Sequence, residues 1–565
     1  MRFLNIMRFP HLLLILSIIP GGLSLFATPA EENVWPEFPL PEKVYSQPRP
    51  DTDEERVVQQ TLAGVAARAA REKIGDGSYL WIEPMDSHAD YPMNFATWRD
   101  RTGVPVEPVD GDVWSLVEHY RDQGVLRGYV LYREDRSDTP VNERIPPEEL
   151  SLNMATSLGG PLRAIAVDES IEEKARAAGL ERLEDVREKS YAWLLAEYGD
   201  YFNRRILGLL DSRMDFARDI AVAADVLVVL NTPGGGFEEG LEFVERGGMM
   251  YGWGLTPEDL FVEPASAAGL QIVAANWSFN IPILSSGRPA ELAARPVEAA
   301  ERPAFDPEKR YVAFILSDGD NLTWLMGDYQ TDERFFAHPN RGNIPFGWSF
   351  PLRYVEQTNP DIWTNLLDSA GPNDDFINFG VGGYTYTDHQ APDLLKRQAE
   401  LLAPLLPKQG HVSTLQFAHE DWESSRAMVG YEAIVAGAPD LKGIWLVNYH
   451  PYAAGRGAML WVEGPRGQVP VISARASIWK GEETGDSGSY EHVAGLLNEW
   501  AGTPAESPED SFSWVIVHAW SDFGDGKTGF GAAEACAALL DADIEVVLPS
   551  VLLEMLHERV EASQR

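Results

Sequence analysis

The residues best placed for chemistry lie in VAFILSDGDNLTW, residues 312–324, where five apolar residues run straight into Ser317, Asp318, Gly319, Asp320 and Asn321. If the chain has left the strand by residue 320, both carboxyls can face one opening, and each then raises the pKa of the other. Paired carboxyl groups, one protonated and one ionised, are what glycoside hydrolysis uses, ~5 Å apart for retention and farther for inversion. Asp318 or Asp320 paired with Glu420 or Asp421, at the end of STLQFAHED, offers the same chemistry from different strands, and spacing does not choose between these pairs. The plain alternative is a turn in which Asp320 or Asn321 caps the helix beginning at LTWLMGD.

A second set could bind rather than react. Trp348, Tyr384, Tyr386, Trp479 and Trp520 could stack on the apolar faces of sugar rings, with core packing as the competing role. Asn321, His450, Arg475 and His518 complete a polar substrate-binding set, and a guanidinium among apolar residues needs an anionic or hydroxyl partner. His450 and His518 with Asp318 and Asp320 could instead form a divalent metal site for a deacetylase. No HxxxH or HExxH spacing supports that arrangement, so no metal ligand is assigned and no cofactor is implied.

These residues need strands to carry them. From residue 310 the sequence reads YVAFILSDGDN, NIPFGWSFP, DFINFGVGGYTY, STLQFAHED, KGIWLVNYHPY, VPVISARASIW, FSWVIVHAWSDF and IEVVLPS, with helical stretches between several of them. That schedule fits a (β/α) TIM-like barrel over 310–565, with the candidate residues at its C-terminal face. Residues 76–290 also alternate strands with helices and form a separate N-terminal α/β domain. LEDVREKSYAWLLAEYGDYFNRRILGLL is expected there as a helical stretch. Residues 28–75 comprise a Pro- and acid-rich arm, extended over 30–55, and a first helix; 291–309 is a linker within a run broken by four prolines.

Residues 1–27 read as a secretory signal peptide, with two arginines ahead of an apolar run ending in small residues. A secreted or periplasmic location follows, with no membrane contact after cleavage. The full chain of 565 residues carries 46 basic and 87 acidic residues, a net charge of −41. A field of that sign repels polyanions, which argues against a nucleic-acid partner. Cys536 is the lone cysteine, so no intrachain disulfide can form. Two phosphate-loop lookalikes fail: Ser521 replaces the first glycine before GDGKTGFG, and Glu239 breaks the GxGxxG spacing of NTPGGGFEEG.

The second half resembles the GxGYxYP family, described as glycoside hydrolases, through FILSDGDN (314–321), PFGWSF (345–350), VGGYTYT (381–387), PVISARASIW (470–479) and FSWVIVHAW (512–520). LNMATSLGG (152–160), AIAVDES (164–170), NRRILG (203–208) and YGWG (251–254) are similar to its N-terminal domain. Val381 and Thr387 depart from the signature's first glycine and its proline, while Tyr384 and Tyr386 remain. The resemblance implies a carbohydrate substrate. The leading expectation is an exported glycoside hydrolase acting on a poly- or oligosaccharide. A non-catalytic glycan-binding or cell-envelope protein and a metal-dependent carbohydrate deacetylase stand as alternatives.

Overall fold

The structure is a computed structural model that describes residues 34–295, 302–419, 421–449, 451–481 and 485–564. The expected signal peptide and the middle of the expected linker lie outside these residues. From Val34 onward the chain forms one compact unit of mixed α/β structure.

Its C-terminal part is organised by a large curled sheet of eleven strands. Parallel neighbours run in the order Gly467–Ser473, Gly443–Asn448, Ser413–Ala418, Asp374–Phe379, Phe346–Phe350, Arg310–Leu316, Phe512–Val517, Ala476–Ile478. Each of the eight strand segments read from the sequence supplies a strand. Every residue of Arg310–Leu316 is buried, as a parallel strand covered on both faces requires, which is why it reads as a continuous apolar run rather than an alternating one. Each fully buried Val, Leu, Ile or Phe there contributes ~1.5–3 kcal/mol. The segment from Gly467 to Ile478 pairs with Gly443–Asn448 through its first half and with Phe512–Val517 through its second. Ile544–Val546 adds a short parallel pairing at the start of Arg310–Leu316, and Met459–Gly464 folds back antiparallel on Gly467–Ser473.

The N-terminal part holds three small, wholly parallel sheets. Two sequence expectations are corrected here. Lys43–Gln47, expected within an extended arm, is the central strand of a three-stranded sheet between Ser78–Ile82 and Val106–Pro108. Its pairing partners follow it in sequence, so its own Pro- and acid-rich flanks gave no sign of them. The stretch LEDVREKSYAWLLAEYGDYFNRRILGLL, expected as helical, yields the helix Tyr191–Tyr198 between strands Arg182–Asp185 and Ile206–Leu209. Ser190 starts that helix by accepting the Trp193 N–H, so the chain before it is free to pair as a strand.

The two parts meet along the edge of the curled sheet where its parallel strands end. Ile272 and Tyr384 exchange backbone hydrogen bonds of 3.1 and 2.8 Å. Asn321 bridges to Ala274, and the Thr323 N–H donates to the Ala274 carbonyl. Farther out, Arg101 grips Asp361 through two hydrogen bonds of 2.9 and 2.8 Å, and Asp90 accepts from Gln330 N and Thr331 Oγ1, each at 2.6 Å. Bidentate and charge-assisted bonds of this kind fix orientation as well as adding energy. No helix among the described residues is long and apolar enough to cross a membrane.

Candidate active site

The turn after Arg310–Leu316 is held by its backbone. Asp318 sits at φ 62°, a left-handed conformation that Asp tolerates better than most residues. Gly319 donates its N–H to Ser349 Oγ at 3.1 Å, and a Cβ on it would stand 2.2 Å from the Ser349 carbonyl oxygen, so no larger residue fits. Asn321 caps the helix Leu322–Gly327 by accepting from Trp324 N at 3.1 Å. With the cap supplied by Asn321, the Asp320 carboxyl is left for another use. Its backbone carbonyl takes the Tyr354 hydroxyl, and Ser317 Oγ donates to Asp318 Oδ2.

Asp318 and Asp320 line a cavity of about 350 Å³. Glu258, at the start of helix Asp259–Ala268 in the N-terminal part, lines the same cavity and accepts the Tyr384 hydroxyl at 2.7 Å. Burial, then the charges of Asp318 and Glu258, push the Asp320 carboxyl well above the usual carboxylate range. Burial raises Glu258 to about 7, reinforced by Asp318 and opposed by the Tyr384 hydrogen bond. Three carboxyl groups in one partly enclosed space cannot all ionise near neutral pH, and the raised Asp320 and Glu258 are the two that hold on to protons most readily.

Aromatic rings surround these acids. His518 stacks on Trp479 at 3.6 Å and 9°, and Trp479 stacks on Tyr452 at 4.1 Å and 20°. Trp253, also at the cavity, lies parallel to Tyr384, with centroids 6.3 Å apart and planes 8° off. Trp277 and Trp520 are 38% and 42% exposed at the cavity, far more than a core tryptophan. Trp277 also lines a neighbouring cavity of about 510 Å³, with Arg49, Arg56, Arg213, Asp215 and Phe216 among its walls.

Of the residues singled out from sequence, Asp318, Asp320, Asn321, Tyr384, Trp479, His518 and Trp520 meet at this cavity. Four others do not line it. Trp348 is fully buried, donates to Asp374 Oδ1 at 2.9 Å and packs on Phe336, Phe346 and Phe530. Tyr386 is fully buried beside His419. Arg475 donates to Ser513 Oγ at 2.9 Å and lies over Trp500 at 4.3 Å, so a hydroxyl and a ring satisfy the guanidinium without an acid from the mouth. Alternation along a strand explains Trp348, whose neighbour Phe530 belongs to a covering helix. Asp421 is exposed and accepts from Glu423 N. Glu420 and His450 lie outside the described residues.

Sequence reasoning missed Glu258, Trp253, Asn276, Trp277 and Tyr452 as cavity residues. Trp253 directly follows the strand Met249–Gly252, and Asn276 and Trp277 come shortly after Gln271–Val273. The strand-end rule used for the second half, applied to the first, would have found these three. Glu258 gave no such signal, because it precedes a helix and becomes notable only through Tyr384. That tyrosine is positioned by the glycine loop before it: a Cβ on Gly380, at φ 64°, would stand 2.0 Å from the Gly383 carbonyl oxygen.

Among the described residues, neither group of side chains able to surround a metal ion includes Asp318, Asp320 or His518; the two are Glu263, His389 and His419, and Glu54, Glu134 and Asp168.

Comparison with known proteins agrees with this layout. The model described as "GxGYxYP putative glycoside hydrolase C-terminal domain" matches residues 308–557, and the one described as "GxGYxYP_N second domain" matches 126–202, together more than half of the chain. No curated protein matches it. A solved structure, titled as that of a "putative hydrolase from Bacteroides thetaiotaomicron VPI-5482", superposes with a TM-score of 0.75 at 20% identity, covering 93% of this chain and 96% of the other. That likeness shows the shared fold, over almost the full length of both chains. With its second N-terminal and its C-terminal domain both matched, the chain belongs to the GxGYxYP family.

Proposed function

We propose that the protein is a glycoside hydrolase that cleaves an oligo- or polysaccharide in the cavity between its two parts, with Asp318, Asp320 and Glu258 supplying the acid and base. The observation that carries the reading is the convergence of these carboxyls with Trp253, Tyr384, Trp479 and Trp520 around one opening. A glycosidic oxygen needs a proton as its bond breaks, and a carboxyl held protonated near neutral pH is the group that gives it. Asp320 and Glu258 are both raised into that role. Asp318 is the candidate for the partner group, as nucleophile or as base toward water. The aromatic faces hold the sugar rings, and the neighbouring cavity that shares Trp277 supports a substrate longer than one sugar.

Two further parts of the reading have their own support. The segment Gly467 to Ile478 pairs on both sides, which supports closure of the curled sheet into a TIM-like barrel with the site at its C-terminal mouth. The leader-like residues 1–27 support export to a periplasmic or extracellular site, where polysaccharides occur.

Assaying wild type and Asp320→Asn against a panel of glycans tests the reading. Hydrolysis of one class by wild type and its loss in the variant is the expected result. Equal activity in the two would remove Asp320 from the mechanism, and no activity on any glycan would favour a binding protein.

A further inference from the structure

The structure assigns a second site, distinct from the cavity: Glu263, His389 and His419 form a binding site for one divalent transition-metal ion. Glu263 comes from helix Asp259–Ala268 of the N-terminal part, His389 from the loop before helix Pro392–Leu402, and His419 from the residue after strand Ser413–Ala418. One potential ligand atom from each lies within 4.8 Å of the others. His389 Nδ1 stands 3.6 Å from Glu263 Oε1, close to the roughly 3.4 Å that separates two ligand atoms on a tetrahedral ion bound at ~2.0–2.1 Å.

The imidazoles themselves point to a ligand. The His389 side chain is 6% exposed and its Nε2 has no hydrogen-bond partner; His419 Nδ1 is likewise buried and unpartnered. Buried polar atoms without partners are rare, and here two belong to rings whose centroids are 5.3 Å apart. A half-turn of either ring exchanges its nitrogens with carbons, so the ligating nitrogen is not fixed by the ring's placement alone. Two imidazoles and a carboxylate are a donor set suited to zinc and its neighbours in the first transition row.

The surroundings hold the donors in place. Tyr386 stacks on His419 at 4.7 Å and 16°, and the His419 N–H donates to Asp388 Oδ1 at 2.9 Å. Tyr386 N donates to Ser266 Oγ at 3.0 Å, which ties this loop to the helix that carries Glu263. An ion here would join helix Asp259–Ala268, with Glu258 at its start, to loops of the curled sheet. It would act as a staple between the two parts of the chain, and its presence does not depend on the glycosidase reading.

The test uses the full chain stripped by EDTA, dialysed, and titrated with Zn²⁺ alone by calorimetry, with Tm recorded in parallel. One equivalent of zinc bound, together with a raised Tm, is expected. His389→Ala and His419→Ala should each weaken binding by more than about tenfold, while keeping the Tm of metal-free wild type; His492→Ala, on the helix Tyr490–Ala501 and outside this group, should bind like wild type. No binding by wild type, or unchanged binding in both variants, overturns the assignment. If the variants do not fold, Co²⁺ added to wild type decides: the visible absorption of histidine-ligated cobalt supports the site, and its absence overturns it.

Discussion

Asp318 and Asp320 stand two residues apart in a turn whose conformation is locked by Gly319 and by the Asn321 cap. Glu258 stands alone at the start of a helix and is held from the other part of the chain by the Tyr384 phenol. The first wall of the cavity is therefore built by local sequence, and the second by docking. The turn is fixed once its strand has paired with Phe346–Phe350, which brings Ser349 to Gly319. A docked acid has its environment only when the two parts are together, and its raised pKa depends on that contact. Neutralising a group, distorting the turn and trimming the docked wall separate the two contributions.

The largest effect is expected for Asp320→Asn, which should lower kcat/KM on the identified glycan by about 10²–10⁴-fold with the fold intact, as read by steady-state kinetics and circular dichroism. A smaller loss would shift the acid role toward the docked wall. Next comes Gly319→Ala, because the added methyl would meet the Ser349 backbone, which cannot swing aside as a side-chain tip could. Overpacking of this kind costs roughly 1–3 kcal/mol, measurable by denaturant unfolding, and activity should fall with it. Trp277→Ala should have the smallest effect. Its ring borders both cavities and its backbone is anchored by the Thr323 hydroxyl at 3.1 Å, so KM for a long substrate should rise about three- to tenfold with kcat little changed. A short substrate that fills only the inner cavity, where Trp253, Tyr384, Trp479 and Trp520 remain, should show a smaller rise.

The same contrast explains how far the sequence could be read. The strands of the curled sheet were legible because each is a short apolar run ending in polar or aromatic residues, the pattern of a buried parallel strand. Asp318, Asp320, Trp479, His518 and Trp520 were legible for the same reason, since each comes at or shortly after the end of such a run. Trp348 looked equivalent, but it sits inside its strand, and period-two alternation turned it toward a covering helix. Arg475 misled because nothing local revealed Ser513 and Trp500 as its partners. Glu258 was illegible because its chemistry comes from burial and from Tyr384, 126 residues away. Lys43–Gln47 escaped because it lies in a stretch whose prolines suggest an arm, while its pairing partners lie far along the chain.

The raised pKa of Glu258 also has a stability consequence with a definite sign. Between its ordinary value of 4.5 and about 7, the unfolded chain releases this proton while the folded chain keeps it. Stability therefore falls as pH rises through that window, by at most about 1.4 kcal/mol per pH unit from this group. Glu258→Gln, which can still accept from Tyr384, should flatten the slope.

The most direct test of the central claim, that acids from both parts form one site, is the pH–rate profile of wild type beside Glu258→Gln. With Glu258 as a proton donor, wild-type activity falls as pH rises through about 7, and the variant loses both that limb and most of its rate. A variant that keeps the wild-type rate and the same limb would show that the docked wall takes no part in the chemistry.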